Sequence, residues 1–159
     1  MTSAFFTYEK PKVIQALRFH FISRREIKVL IILVNLFAIL SAIMYFSHKI
    51  SPVAFLLASG LWFILMISFW FALPIIIYKR AATFRDKFRV HFNEDGMTLE
   101  NEHGKRGWPW KAFSTYMESP NFFHIYFDAR SFFLIPKVAF TDDQLHEVRQ
   151  LLKSNISKS

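Results

Sequence analysis

Two long apolar runs occupy much of the first half of the chain. The first run, Val29–Phe46, is eighteen residues long, and the second, Val53–Tyr78, holds 26 residues. A helix needs about 20 apolar residues to cross the hydrocarbon layer of a membrane. Because flanking residues lengthen the first run, the pattern predicts two transmembrane helices, over residues 27–47 and 53–78.

A short connection, Ser47–Pro52, joins the two apolar runs. So short a loop predicts an antiparallel hairpin, which places both chain ends on the same side of the membrane. Eleven Lys and Arg residues flank the outer ends of the hairpin, within residues 1–28 and 79–89, whereas the loop holds Lys49 alone. Because an excess of Lys and Arg marks the cytoplasmic side, both termini are predicted to be cytoplasmic.

The apolar runs have two alternative interpretations. One is a buried helical hairpin in a soluble fold, but adjacent charge-free runs of this length are rare in soluble chains. The other is a cleaved signal peptide. The leading 28 residues and the eighteen-residue first run are both longer than a signal peptide requires, and a second run follows directly. The membrane hairpin is therefore the favoured interpretation.

The N-terminal region, residues 1–26, is predicted to hold a short strand and an amphipathic helix. Ala4–Tyr8 has the pattern of a strand, and Pro11 suits the first turn of a helix that continues to Arg24. This helix has three alternatives: it lies in the membrane interface, continues into the first span, or packs on the C-terminal domain. Its apolar stripe consists of Ile14, Leu17 and Phe21.

From residue 79 onward, short alternating apolar and polar segments replace the long runs. Turn sequences separate the segments, and strands at this spacing indicate antiparallel packing. A capping box at Thr141–Gln144 then begins a helix. The six predicted strands cover residues 88–92, 97–100, 105–110, 113–117, 122–127 and 131–136, and the apolar stripe of the helix consists of Leu145, Val148, Leu151 and Leu152.

These elements predict the fold class: a membrane α-hairpin followed by an α+β domain over residues 79–159. That domain is expected to be a small antiparallel sheet or barrel of the pleckstrin-homology type, with the C-terminal helix as its cap. The helix stripe is expected to close the core of the domain.

This order of parts resembles the YcxB-like family of small bacterial membrane proteins. Two segments carry the local resemblance: Trp110–Phe113, a Trp followed by a short turn into the next strand, and Ile135–Phe140 just before the helix. The resemblance implies a multi-pass protein of the bacterial plasma membrane with a pleckstrin-homology-like C-terminal domain.

The amino-acid composition limits the kinds of catalysis and metal binding expected of this chain. The chain has 20 Phe and is 53% hydrophobic, more apolar surface than a soluble domain of this size buries. It has no Cys, which excludes disulfides, Cys-ligated zinc and thiol nucleophiles. With four Gly and no catalytic motif, the sequence predicts neither an enzyme nor a cofactor site. Six His lack metal-ligand spacing, so no metal site is predicted either.

The formal net charge of +8 is concentrated at the two ends of the apolar region. This placement is typical of juxtamembrane segments and favours a lipid bilayer, with anionic lipids, over nucleic acid as the partner. The alternative is that these charges only set the topology. The candidate contacts with lipid head groups are Lys79, Arg80, Arg85, Lys87 and Arg89.

Trp108 and Trp110 flank Pro109 and form a candidate aromatic patch for a lipid or a protein. The alternative is that both indoles belong to the core.

Small residues near Gly60 could also let a second copy approach as a homodimer. The function hypothesis is a non-enzymatic membrane protein whose cytoplasmic domain binds a protein partner or a lipid head group. The alternative is an accessory subunit that packs through its hairpin against a larger transporter or enzyme.

Overall fold

The computed structural model describes residues 1–129 and 131–156. It forms two compact units, one built from Met1–Ala16 with the described part of Ala81–Ser159, and the other from Leu17–Arg80. The predicted N-terminal region, 1–26, thus divides between the two units. Arg130 and residues 157–159, which the prediction included in the C-terminal domain, lie outside the described residues.

The described residues include five α-helices. Helix α1 ends before Arg24, whose backbone is extended at φ −71° and ψ 130°, and α2 begins at the next residue. The first helix therefore does not continue into the first span, which removes one of the three alternatives. The bounds are α1 Lys10–Ser23, α2 Arg25–Phe46, α3 Pro52–Ile67, α4 Leu73–Arg80 and α5 Asp142–Asn155.

Two helical stretches are long and apolar enough to cross a membrane, Arg25–Phe46 and Pro52–Arg80, with mean hydropathies of 2.6 and 2.3. Only 6% of the 18-residue apolar window in each stretch is buried. A core helix of a soluble protein would be mostly buried, whereas these helices expose large apolar side chains such as Ile32 at 64% and Leu57 at 71%. The two helices therefore indicate a membrane protein.

The two stretches contact each other as a hairpin. The rings of Tyr45 and Phe55 stack with centroids 4.6 Å apart near the loop, and the indole Nε1 of Trp62 donates a 3.4 Å hydrogen bond to Asn35. Contacts that pair later residues of one helix with earlier residues of the other are those of antiparallel helices. The predicted hairpin geometry is therefore present in this unit.

The second stretch is irregular around Pro74. A π-helical turn, Ser68–Ala72, separates α3 from α4. Proline has no N–H to donate to the carbonyl four residues earlier, which here is that of Trp70. The helix consequently loses its regular hydrogen-bonding pattern in this stretch.

The other unit contains two three-stranded antiparallel sheets, with orders β1-β2-β3 and β4-β5-β6. Register pairs such as Val90 with Leu99 and Met97 with Trp108 define the first sheet. The strands are β1 Arg89–Phe92, β2 Gly96–Asn101, β3 Gly104–Pro109, β4 Thr115–Glu118, β5 Phe122–Tyr126 and β6 Phe132–Pro136.

The N-terminal segment lies antiparallel beside β1. Phe6 and Phe88 exchange two backbone hydrogen bonds, of 2.8 and 3.0 Å, and Thr2 bridges His91. In place of the strand predicted over Ala4–Tyr8, the segment pairs through two isolated bridges, at Thr2 and Phe6. The first sheet gains a fourth element from a segment that precedes the hairpin.

Helix α5 packs on the core of this unit. Its capping box is confirmed, because Thr141 and Gln144 exchange side chain to backbone hydrogen bonds of 3.1 and 3.4 Å. Val148 and Leu152 are fully buried, and Leu145 and Leu151 pack partly buried against the core. The predicted fold class is confirmed, with its strands divided between two sheets.

Candidate functional site

A groove of about 440 Å³ opens beside the β2–β3 hairpin, and we call it the basic cleft. A smaller side cavity of about 160 Å³ shares Asp86, Asn101 and His103 with it. The other residues of the basic cleft are Thr83, Phe88, Leu99, Gly104, Lys105, Arg106, Trp108 and Phe133, and those of the side cavity are Arg85, Lys87 and Glu102.

Two segments of backbone form the walls of the cleft. One is the 3-10 turn Ala82–Arg85 and the residues that lead to Phe88, which the N-terminal segment holds in place. The other is the turn between β2 and β3, where the Asn101 side chain accepts a 3.0 Å hydrogen bond from the His103 amide. Gly104 has φ +145°, a backbone conformation that residues other than glycine rarely adopt. The sequence therefore fixes the shape of both walls locally.

The charge of the two cavities is predominantly positive. Four cationic side chains, Arg85, Lys87, Lys105 and Arg106, line them against the carboxylates of Asp86 and Glu102. Lys105 pairs with Glu100 at 3.3 Å. Within residues 1–129 and 131–156, no carboxylate lies within salt-bridge distance of the other three cations. Such a surface attracts anions.

Glu100 links the rim of the cleft to the N-terminal segment. Its carboxylate lies 2.6 Å from Nε2 of His91, and Nδ1 of the same ring lies 3.0 Å from the hydroxyl of Thr2. The hydrogen bond with His91, helped by the contact with Lys105, outweighs the opposing effect of burial and lowers the pKa of Glu100. The ionised carboxylate therefore holds Lys105 at the rim.

Trp108 forms part of the aromatic floor of the cleft. Its half-buried ring packs against Phe133 and Phe127, with centroids 5.2 and 5.6 Å away, and the guanidinium of Arg106 lies 5.3 Å from its centroid. An apolar floor thus lies next to a cationic rim.

Trp110 has a different environment. It is 6% exposed, its ring lies parallel to that of Phe92, and its indole Nε1 donates to the carbonyls of Asn93 and Glu94 at 3.2 and 3.0 Å. Of the two tryptophans in the predicted aromatic patch, Trp108 lines the cleft and Trp110 belongs to the core.

The structure distributes the five predicted basic contacts over three places. Arg85 and Lys87 line the side cavity. The guanidinium of Arg89 lies 3.9 Å from the ring centroid of Phe5, where it is engaged in a cation–π contact. Lys79 and Arg80 end α4 and belong to the other compact unit.

Sequence reasoning missed six polar residues of the cleft: Thr83, Asp86, Asn101, His103, Lys105 and Arg106. The available signal was a Lys-Arg pair in a predicted hairpin, two residues before a tryptophan. Among the residues that the structure describes, no group of His, Cys, Asp and Glu could hold a metal ion.

Comparison with known proteins adds one match. Residues 92–152, from the end of β1 into α5, match the family model described as YcxB-like protein. No curated protein and no solved structure matches the chain. The matched region contains both segments on which the predicted resemblance rested, Trp110–Phe113 and Ile135–Phe140. The predicted resemblance to this family is thereby confirmed over residues 92–152.

Proposed function

We propose that this chain is a multi-pass protein of the bacterial plasma membrane whose cytoplasmic domain binds anionic lipid head groups without catalysing a reaction. The observation that carries the proposal is the set of uncompensated cations, Arg85, Lys87 and Arg106, around the two cavities. Cations without carboxylate partners are free to meet an external anion, and each contributes about 1 kcal/mol near an anionic leaflet.

The chain order supports a membrane ligand. The second candidate span ends at Arg80, and Thr83, three residues later, already lines the basic cleft. Three residues of chain reach at most about 10 Å. The eleven Lys and Arg residues around the hairpin support a cytoplasmic position for both ends. Together these points favour an anion of the inner leaflet over a soluble one.

The strand arrangement supports a binding module. Counting the N-terminal segment, the first sheet has four elements, the second has three, and a C-terminal helix packs on the core. We interpret this arrangement as one of the pleckstrin-homology type, and function in such folds lies in sites added to a common scaffold. The analogy supports binding rather than catalysis but does not identify the ligand.

Hydrogen exchange of the full chain in lipid nanodiscs tests the proposal. In discs that contain phosphatidylglycerol, amides of residues 101–108 are expected to exchange more slowly than in discs of phosphatidylcholine alone. The difference is expected to disappear in about 1 M salt, where the Debye length falls to about 3 Å. Equal exchange in both kinds of disc at low salt would contradict the proposal.

A second candidate function is that of a subunit that packs through the hairpin. Apart from the backbone of its own helix, no described residue lies within 4 Å of the position where a Cβ of Gly60 would be, so a second helix could approach closely there. Sizing the native particle in mild detergent tests this: a larger hetero-complex would favour the subunit role, and a monomer or homodimer would argue against it.

A further inference from the structure

We propose that the basic cleft holds one anionic lipid as a monomer, with its phosphate at the rim and the start of its acyl chains on the aromatic floor. This inference rests on the proposed function and adds a ligand class and a pose to it. The observation behind the inference is that one groove combines an apolar floor with a cationic rim.

The floor is more apolar than a phosphate site needs. Phe88 and Leu99 are 7% and 6% exposed, and Trp108 and Phe133 are half-buried beside them. A purely polar anion at the rim would leave the exposed parts of Trp108 and Phe133 in contact with water, whereas an amphiphile would cover them. The volume of about 440 Å³ lies within the range of small-molecule sites.

The rim fits a single phosphate. Arg106 offers an unpaired guanidinium, the group suited to paired hydrogen bonds with a phosphate. Lys105 lies beside it, and Glu100 holds it there through their 3.3 Å contact. Asp86 and Glu102 bring two negative charges to the same cavities. These carboxylates would repel the additional charges of a polyphosphate, so a head group with one phosphate is favoured.

A nucleotide fits less well, although it also combines a phosphate with an apolar group. A base would stack on Trp108, but Arg106 lies over that ring and Phe127 and Phe133 pack against it. The guanidinium would have to leave the ring before a base could stack there. The floor is instead suited to flexible chains that follow its contour.

Calorimetric titration of the full chain in phosphatidylcholine nanodiscs tests the inference. The probe is dihexanoyl phosphatidic acid below its micelle concentration, with empty discs as the blank. We expect saturable binding of one molecule per chain. Glycerol 3-phosphate, which lacks the chains, and dihexanoyl phosphatidylcholine, which lacks the net negative charge, are each expected to bind at least about tenfold more weakly.

The variant Arg106→Gln is expected to weaken the binding of dihexanoyl phosphatidic acid by about tenfold or more. Arg106 is exposed, so its replacement leaves the core intact, and an unchanged melting temperature verifies this. Lys111→Gln changes an exposed cation that does not line the cleft and is expected to leave binding unaltered.

Three results would overturn the inference: equal affinity for glycerol 3-phosphate, tighter binding of adenosine monophosphate, or no saturable binding of the lipid. If saturable binding is absent but the hydrogen-exchange difference between anionic and neutral discs persists, the proposed function stands without a lipid pocket. If the exchange difference is also absent, both proposals fail.

Discussion

The Nε of Arg18 donates a 2.8 Å hydrogen bond to the carbonyl oxygen of Trp70, an oxygen that Pro74 cannot satisfy. The same guanidinium lies 5.1 Å from the ring centroid of Phe71. An unsatisfied carbonyl is costly inside an apolar stretch. A side chain of α1 therefore supplies the donor that the proline removes from the second candidate span.

Replacing Arg18 with Met is expected to lower the stability of the detergent-solubilised chain by about 1.5–3 kcal/mol, the usual value of a hydrogen bond from a charged donor. In the background Pro74→Ala, which restores an N–H four residues after Trp70, the same replacement should cost less. Thermal unfolding of the wild type, the two single variants and the double variant gives the coupling energy between Arg18 and Pro74. Equal costs in both backgrounds would show that Arg18 does not compensate for the proline. Arg25→Met, at an exposed arginine, is the control.

Glu118 joins three parts of the β-rich unit. Its carboxylate contacts Lys137 at 2.6 Å and Arg149 of α5 at 2.9 Å. Burial alone would raise the pKa of Glu118, but the hydrogen bonds from Arg149 and Lys137 outweigh burial and lower it. The ionised carboxylate therefore stabilises the fold above the ordinary pKa of a glutamate, about 4.3. This contribution is lost as pH falls through the lower pKa of the folded state.

Glu118→Gln is expected to cost about 1–2 kcal/mol at pH 7, since it removes two charged contacts. The difference from the wild type should shrink as pH falls below the ordinary pKa of a glutamate, about 4.3. It should vanish below the lowered pKa of Glu118 in the folded state, where both chains carry a neutral group at this position. Thermal unfolding across this pH range measures it. A difference independent of pH would assign the loss to shape rather than charge. Glu147→Gln, at an exposed position of α5, is expected to change little.

Leu152 is fully buried in the core under α5. Leu152→Asp should cost several kcal/mol, about 3–5, because it places a charge without a partner among apolar side chains. Lys153→Asp changes the exposed neighbour and serves as the matched control. Denaturation of the full chain in detergent measures both. If Leu152→Asp is no more harmful than the control, α5 does not close the core.

The orientation of the hairpin also leads to a direct experiment. A reporter that is active only in the cytoplasm, fused after Ser159, is expected to be active, because the Lys and Arg excess surrounds the chain ends. A reporter that is active only outside the cytoplasm should be silent at the same position. The opposite pair of results would reverse the predicted topology.

Local patterns were sufficient to predict the helices and strands, because hydrophobic periodicity and capping residues act within a few positions. The N-terminal pairing is different, since the Val90 amide donates to Ser3 across 87 residues of sequence. No periodicity specifies which distant strand a segment joins. For the same reason, the sequence did not predict the hydrogen bond between Arg18 and Trp70.

The candidate site was predicted only in part. Arg85 and Lys87 were identifiable because they follow an apolar run, but Lys105 and Arg106 reach the cleft through the register of a hairpin. Whether a cation can bind an external anion depends on whether the fold places a carboxylate beside it. That information lies in three-dimensional contacts and not in the spacing of residues.

The proposed role of the cations of the basic cleft and its side cavity is to hold the domain on anionic lipid. The measurement is hydrogen exchange of residues 101–108 in phosphatidylglycerol discs at low salt, for the double variant Arg85→Gln with Lys87→Gln. The matched control is Lys111→Gln with Lys153→Gln, which removes the same charge at exposed positions that line neither cavity. The account predicts that the cavity variant loses most of the protection and the control keeps it. Equal loss in both variants would contradict it, because net charge alone would then explain the protection.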